Sequence, residues 1–445
     1  MMTLEDYLEA SARRYPEKTA LVCAGEQFSY KDLWQRVLAY TADCAEYHRG
    51  QIVCLRASST VDFVVAYFSL HRLGCVVVPL EQSMPDAAFR QLSAEMSAHV
   101  VPEGTADILY TTGTTGRSKG VIVSHSTIIA DAENLIDGQG FTHETVFVIN
   151  GPLNHIGSLS KIYPVVMLGG TIILVDGLKD IDRFFSAFSY PSGKMATFLV
   201  PASIRILLQF GAEKIAALAD RMDFIETGAA AISQTDMEAL CQLLPNTRLY
   251  NTYASTETGI ISTYNYNGGE CLAGCLGRPM KHSQIVITPE GHIACQGPTL
   301  MSGYVGDAER TASVLHDGTL FTSDLGRLDS QGRLHLKGRE DDVINVGGFK
   351  VSPTEVEQAA LSFATVKDCI CIAVSHPVTG SALKLLVAMT TPGTLNKRAL
   401  ALHLKSRLEL YKVPMLYEEV QAVRRTFNGK LDRKAYRKEE ERSHE

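Results

Sequence analysis

From Tyr110 to Gly120 the chain reads Tyr-Thr-Thr-Gly-Thr-Thr-Gly-Arg-Ser-Lys-Gly: four threonines, three glycines and two cations in eleven residues. Threonine hydroxyls and backbone N–H groups donate to phosphate oxygens, and a lysine adds positive charge. Glycine lets the backbone approach a ligand closely. Thr111, Thr112, Gly113, Thr114, Thr115, Gly116 and Lys119 are therefore candidates for holding a phosphate-bearing ligand. Apolar Ile108-Leu109 before them and Val121-Ile122-Val123 after them predict strand, loop, strand. The stretch is not a Walker loop: that motif, G-x-x-x-x-G-K-S/T, puts a hydroxyl after the lysine, and here Gly120 follows Lys119.

The loop instead resembles the phosphate loop of the adenylate-forming superfamily, Y/F-T-S/T-G-S/T-T-G-x-P-K-G, with Ser118 where the family has proline. The superfamily comprises acyl- and aryl-CoA ligases, peptide-synthetase adenylation domains and luciferases. Further motifs follow in the family's order. Asn251-Thr-Tyr253-Ala-Ser-Thr256-Glu257 is similar to N-x-Y-G-x-T-E. The resemblance implies that Tyr253 stacks on adenine, Thr256 bonds the α-phosphate and Glu257 holds Mg²⁺. Asn251 belongs to the same nucleotide-binding set. Thr322-Ser-Asp324 resembles the family's T-G-D, whose carboxylate accepts both ribose hydroxyls. Gly338-Arg339-Glu-Asp341-Asp342 resembles the hinge motif, with Arg339 a ribose contact and Asp341 the hinge. Thr426-Phe-Asn-Gly-Lys430 resembles the segment that carries the mobile catalytic lysine.

Two segments would shape the acid site. Pro152-Leu-Asn-His155 matches the stretch where the family places a residue between acyl pocket and thiol tunnel, so the resemblance implies that His155 touches the substrate and gates that tunnel. Thr227-Gly228-Ala229-Ala230 resembles the small-residue turn that walls the acyl pocket and edges the adenine slot. Peptide-synthetase domains for α-amino acids carry an Asp beside the position of His155, and none stands here. A buried ammonium without an anion costs several kcal/mol, so an acid without an obligatory α-ammonium is expected.

The implied reaction is attack of a carboxylic acid on ATP with Mg²⁺, giving an acyl-adenylate and pyrophosphate, and then transfer to a thiol. CoA is the favoured acceptor, in an acyl- or aryl-CoA ligase. The alternatives are a stand-alone adenylation enzyme that loads the phosphopantetheine of an acyl carrier protein and, more remotely, an AMP-binding module without catalysis. The catalytic set is Lys430, Thr256, Glu257 and His155.

The elements that must position these groups alternate between helices (4–14, 29–46, 61–73) and apolar strands (19–23, 51–56, 75–79), which predicts βαβ units. The expected fold is α/β: a large N-terminal domain over 1–338 with layered, mostly parallel sheets, and a small mobile α+β domain over 341–445. The N-terminal domain is read as trimmed between about residues 80 and 110 against the family. In the small domain, Ser352 at the N-cap, Pro353 and Glu355 predict a helix start, and 397–410 is a further helix. The last eight residues form a charged tail expected to fray. A net charge of −7 argues against nucleic acid as a partner. No run approaches the 18 apolar residues of a membrane span, and ten scattered cysteines are expected to be free thiols in the cytoplasm. Neither the particular acid nor the oligomeric state is legible.

Overall fold

A computed structural model describes residues 2–44, 46–111, 119–178, 180–191, 194–377, 379–426 and 430–442. Among these, the strands form one fourteen-stranded sheet, a five-stranded sheet, a three-stranded sheet and a two-stranded ribbon. The middle of the long sheet is parallel: Thr171–Leu174, Val146–Ile149, Met195–Leu199, Met222–Thr227 and Arg248–Ser255 lie side by side. These are short apolar runs, as expected for strands buried on both faces. Beyond Arg248–Ser255 the pairing turns antiparallel through Gly259–Asn265, Cys275–Pro279 and Leu334–Arg339 to Thr319–Leu328. The parallel expectation therefore holds for the centre, while the flank is a meander.

In the five-stranded sheet, Ile52–Ala57, Val76–Glu81 and Thr105–Thr111 run parallel, and Thr105–Thr111 turns back onto Lys119–Ser124 as a hairpin. Gly303–Tyr304 joins its edge. Residues 112–118, the body of the phosphate loop, lie outside the described residues. The largest apolar cluster joins the two sheets through residues such as Leu8, Tyr67, Leu109, Phe147, Tyr163 and Phe224. Between Glu81 and Thr105 stands a helix, Asp86–Ser97, that the sequence reading missed. Only Met96 on it is buried, so its apolar periodicity is weak.

The small domain builds its own core on the hairpin Val366–His376/Gly380–Met389, with Val356, Cys371, Leu385 and Leu400 inside. Three expectations about it need correction. Ser352 does occupy the N-cap of helix Pro353–Leu361, but its hydroxyl does not cap; it donates to the Lys337 carbonyl at 2.8 Å, across to the large domain's last strand. The helix expected over 397–410 stops at Lys405. The helix Arg433–Arg442 takes in the first five residues of the charged tail, the last three lying outside the described residues, and Arg433 anchors the helix through two nitrogens on buried Glu357, at 2.6 and 2.7 Å. All ten cysteines are free, and no described helix is long and apolar enough to cross a membrane.

Candidate active site

The hairpin register puts Thr111 opposite Lys119 at the base of the phosphate loop. Lys119 Nζ lies 5.2 Å from the centroid of the Tyr304 ring, within cation–π range. The Tyr304 hydroxyl donates to Glu257 Oε1 at 3.1 Å. Tyr304 thus bridges the loop lysine and the acidic residue, and sequence reading missed it. Only the pairing of the two-residue strand Gly303–Tyr304 with Lys119–Ser124 reveals it.

Glu257 and Thr256 lie in the turn between Arg248–Ser255 and Gly259–Asn265, closed by reciprocal Ser255–Thr258 bonds of 3.0 Å. At Gly259, φ is +69°, and a Cβ there would meet Asp131 Oδ1 at 2.5 Å and the Thr299 carbonyl at 2.6 Å, so glycine is required. Asp131 holds the turn by accepting the Ile260 N–H at 2.8 Å. Burial pushes its carboxyl up to about 8, against the pull of that N–H and of Lys161.

Neighbouring strands pair Asp324 with Arg339. Arg339 Nε donates to Asp324 Oδ1 and the Tyr253 hydroxyl to Oδ2, both at 2.8 Å. Tyr253 itself is buried. Asn251 is buried too, and its amide nitrogen donates to the Cys275 carbonyl at 2.9 Å, so in this structure that nitrogen serves strand packing.

Lys430 comes from the other domain. It is exposed, but neighbouring protein displaces part of the water around its ammonium. That desolvation lowers its ammonium below the usual amine range; Arg339 lowers it further, while Asp324 and Glu257 oppose. Lys430 therefore feels the charges of Arg339, Asp324 and Glu257 at once. Its charge is also felt at His155, which burial and then Lys430 push down to about 4, with Glu81 opposing. His155 is thus a neutral imidazole at pH 7; it occupies an N-cap position but caps nothing with its side chain.

The small-residue turn lies beside these groups. Ala229 holds φ +67°, a strained conformation for a residue with a Cβ. Gly228 is buried, Ala230 half-buried, and Thr227 lies fully buried beneath. The Phe198 ring is wedged between Gly157 and Gly228: a Cβ on either would lie 3.2 or 3.4 Å from it. Asn150 fixes Phe198 by donating to its carbonyl at 2.9 Å. Below it, Lys161 and Glu226 form an ion pair at 2.7 Å, both fully buried, with Lys161 Nζ 5.4 Å from the Phe198 ring centroid. None of Phe198, Lys161 and Glu226 was singled out in the sequence, because strand and helix residues carry no local mark of a shared site. Asp341 lies in the short 3₁₀ turn Glu340–Asp342 that leads into the small domain.

The pattern of the AMP-binding enzyme family matches residues 8–101 and 93–305, and that of the AMP-binding enzyme C-terminal domain matches 355–430. The chain belongs to this family, within the adenylate-forming superfamily. A 2-succinylbenzoate–CoA ligase of Staphylococcus epidermidis is 28% identical over 347 residues, 76% of this chain and 70% of the relative. An L-proline–[L-prolyl-carrier protein] ligase of Pseudomonas fluorescens is 24% identical over 97% of this chain and 98% of its own. Among solved structures, ATP-bound MatB from Rhodopseudomonas palustris superposes with a TM-score of 0.86 at 22% identity, covering 100% of both chains, which shows the fold.

Proposed function

We propose that this chain is an AMP-forming acid–thiol ligase with CoA as the favoured acceptor. The observation that carries the reading is the bonded Tyr253–Asp324–Arg339 cluster, with Lys430 of the small domain within electrostatic range of Arg339, Asp324 and Glu257. A carboxylate and a triphosphate repel, so the site must supply positive charge before the acid oxygen can attack the α-phosphorus. Lys430 and Lys119 do so from opposite domains, oriented before the reaction. Asp324 can accept ribose hydroxyls in place of the Tyr253 and Arg339 donors. Glu257 suits Mg²⁺: it is a half-buried carboxylate that gives one oxygen to Tyr304, and a hard cation takes few carboxylates and keeps water and phosphate oxygens. When bound there, the ion would offset triphosphate charge. Neutral His155 can donate a hydrogen bond to the acid carboxylate without adding charge.

For the thiol step Lys430 has to leave, and rotation about Asp341 would remove it. In the present arrangement Arg205 of the large domain ties Asp368 of the small one at 2.8 Å, so that contact would break. Proline at 341 locks φ near about −65°. Asp341→Pro is expected to leave acyl-adenylate formation within a few-fold and to cut thioester formation by roughly tenfold or more, as hinge changes do; normal rates of both steps would move the hinge elsewhere.

The acid is expected to lack an obligatory α-ammonium, since no Asp stands beside His155 and Glu226, under the small-residue turn, is already paired with Lys161. The likeness to a prolyl-carrier ligase favours the second reading, in which the thiol is a carrier protein's phosphopantetheine. Ten free cysteines fit a reducing cytoplasm. The test is pyrophosphate release across aryl, fatty and α-amino acids, followed by mass analysis with CoA and with carrier proteins. A CoA thioester is expected; loading of carriers alone establishes the second reading, and no release with any acid overturns both.

A further inference from the structure

Away from this site, at the opposite end of the phosphate-loop hairpin, three metal-ligating side chains come together. One ligand atom each of Glu5, His71 and His125 lies within 4.8 Å of the other two. Glu5 Oε2, His71 Nδ1 and His125 Nδ1 are each buried and make no hydrogen bond among the described residues. Polar atoms so buried are normally satisfied, and three residues of one cluster that each carry such an atom call for a common partner. We propose that Glu5, His71 and His125 form a structural site for a divalent transition-metal ion, zinc by its ligand set.

The surroundings fit that assignment. His71 Nε2 lies 3.0 Å from Asp107 Oδ1, and Asp107 Oδ2 accepts the Tyr67 hydroxyl at 2.8 Å. All three residues are buried, Asp107 and Tyr67 completely. In the tautomer that gives Nε2–H to Asp107, His71 keeps its Nδ1 lone pair available to an ion. This is the carboxylate–histidine arrangement that orients imidazoles on metals. The His71 and His125 rings stand 5.2 Å apart at 71°, so the two nitrogens approach from different directions. Two imidazoles and one carboxylate suit zinc and its borderline neighbours rather than magnesium or calcium, and leave a coordination position for water.

The ion would act as a staple. Glu5 sits on the first helix, Leu4–Arg14; His71 ends the helix Val61–Arg72; His125 begins the helix His125–Gln139, directly after the strand Lys119–Ser124. Asp107 stands near the start of strand Thr105–Thr111, whose far end carries Thr111 at the phosphate loop. One ion would pin three helices against the hairpin and is distinct from the Glu257 site.

The test uses the full chain, stripped with a chelator and titrated with Co²⁺, thiols kept reduced. The expected result is one Co²⁺ per chain with visible ligand-field bands, displaced by Zn²⁺, and a raised thermal midpoint. His71→Ala and His125→Ala should abolish the bands. Asp107→Asn should retain them with affinity lowered roughly 10- to 100-fold. If the histidine variants do not fold, the wild-type titration and Asp107→Asn decide. No stoichiometric binding, an unchanged midpoint, a thiolate charge-transfer band placing the ion on cysteine, or equal binding by Asp107→Asn would overturn the site.

Discussion

Two pairs of charge anchored on the long sheet behave oppositely. The Lys161–Glu226 pair is sealed, with side-chain exposures of 0% and 2%. The Asp324–Arg339 pair is of similar length, 2.8 Å, but Arg339 keeps 40% of its side-chain surface open, and Lys430 joins from another domain. A sealed pair has already exchanged water for a fixed partner, so it can only hold structure. An open pair keeps donors and acceptors that a ligand can take over. The comparison teaches that the incompletely buried charges are the ones a ligand can reach, and that the sealed pair lies under Phe198.

Breaking the sealed pair should have the largest effect. Glu226→Gln leaves Lys161 buried without a counter-charge and should cost about 3–5 kcal/mol of stability, while the double change Lys161→Met, Glu226→Leu should be near neutral or stabilising. Urea denaturation checks both; a single variant as stable as the wild type would place the pair with the open charges. Next is Lys430→Ala, expected to slow acyl-adenylate formation roughly 10²- to 10³-fold with stability unchanged and thioester formation from supplied adenylate retained. Equal loss in both half-reactions would remove Lys430 from the adenylation step alone. Asp324→Asn should raise the KM for ATP roughly tenfold, about 1.4 kcal/mol, with the melting midpoint nearly constant. An unchanged KM would make Asp324 a partner of Tyr253 and Arg339 only.

The smallest effect concerns pH. His155 falls from an ordinary histidine value of about 6.5 to about 4, so between these values the unfolded chain binds the extra proton. Its contribution is complete above pH about 6.5 and is lost as pH drops toward 4. His155→Gln should flatten the acid limb of stability in that window and weaken use of acid and thiol, while leaving ATP affinity within a few-fold. Because Lys430 is one cause of the shift, Lys430→Ala should narrow the window; ring titration by NMR measures this directly.

The strands at Thr19–Cys23 and Val76–Glu81 and the helix Leu4–Arg14 were legible because apolar spacing and turn residues are local signals. Tyr253, Asp324 and Arg339 stood out by motif; their joining was not legible, since 71 residues separate Tyr253 from Asp324. Ser352 carried a correct helix-start signal, but a distant carbonyl, that of Lys337, captured its hydroxyl. Thr112 to Gly116 rest on the sequence alone, as they lie outside the described residues.

By itself the sequence determined the α/β class, the order of the motifs and the residue types able to bind a nucleotide, because these depend on short-range periodicity and on side-chain chemistry. Only the tertiary structure decided which charges are sealed and which remain open. Lys161 meets Glu226 across 65 residues and Arg205 meets Asp368 across 163. Burial and partner choice arise from strand order and helix packing, and those long-range contacts alone set whether a lysine holds the core or neutralises a phosphate.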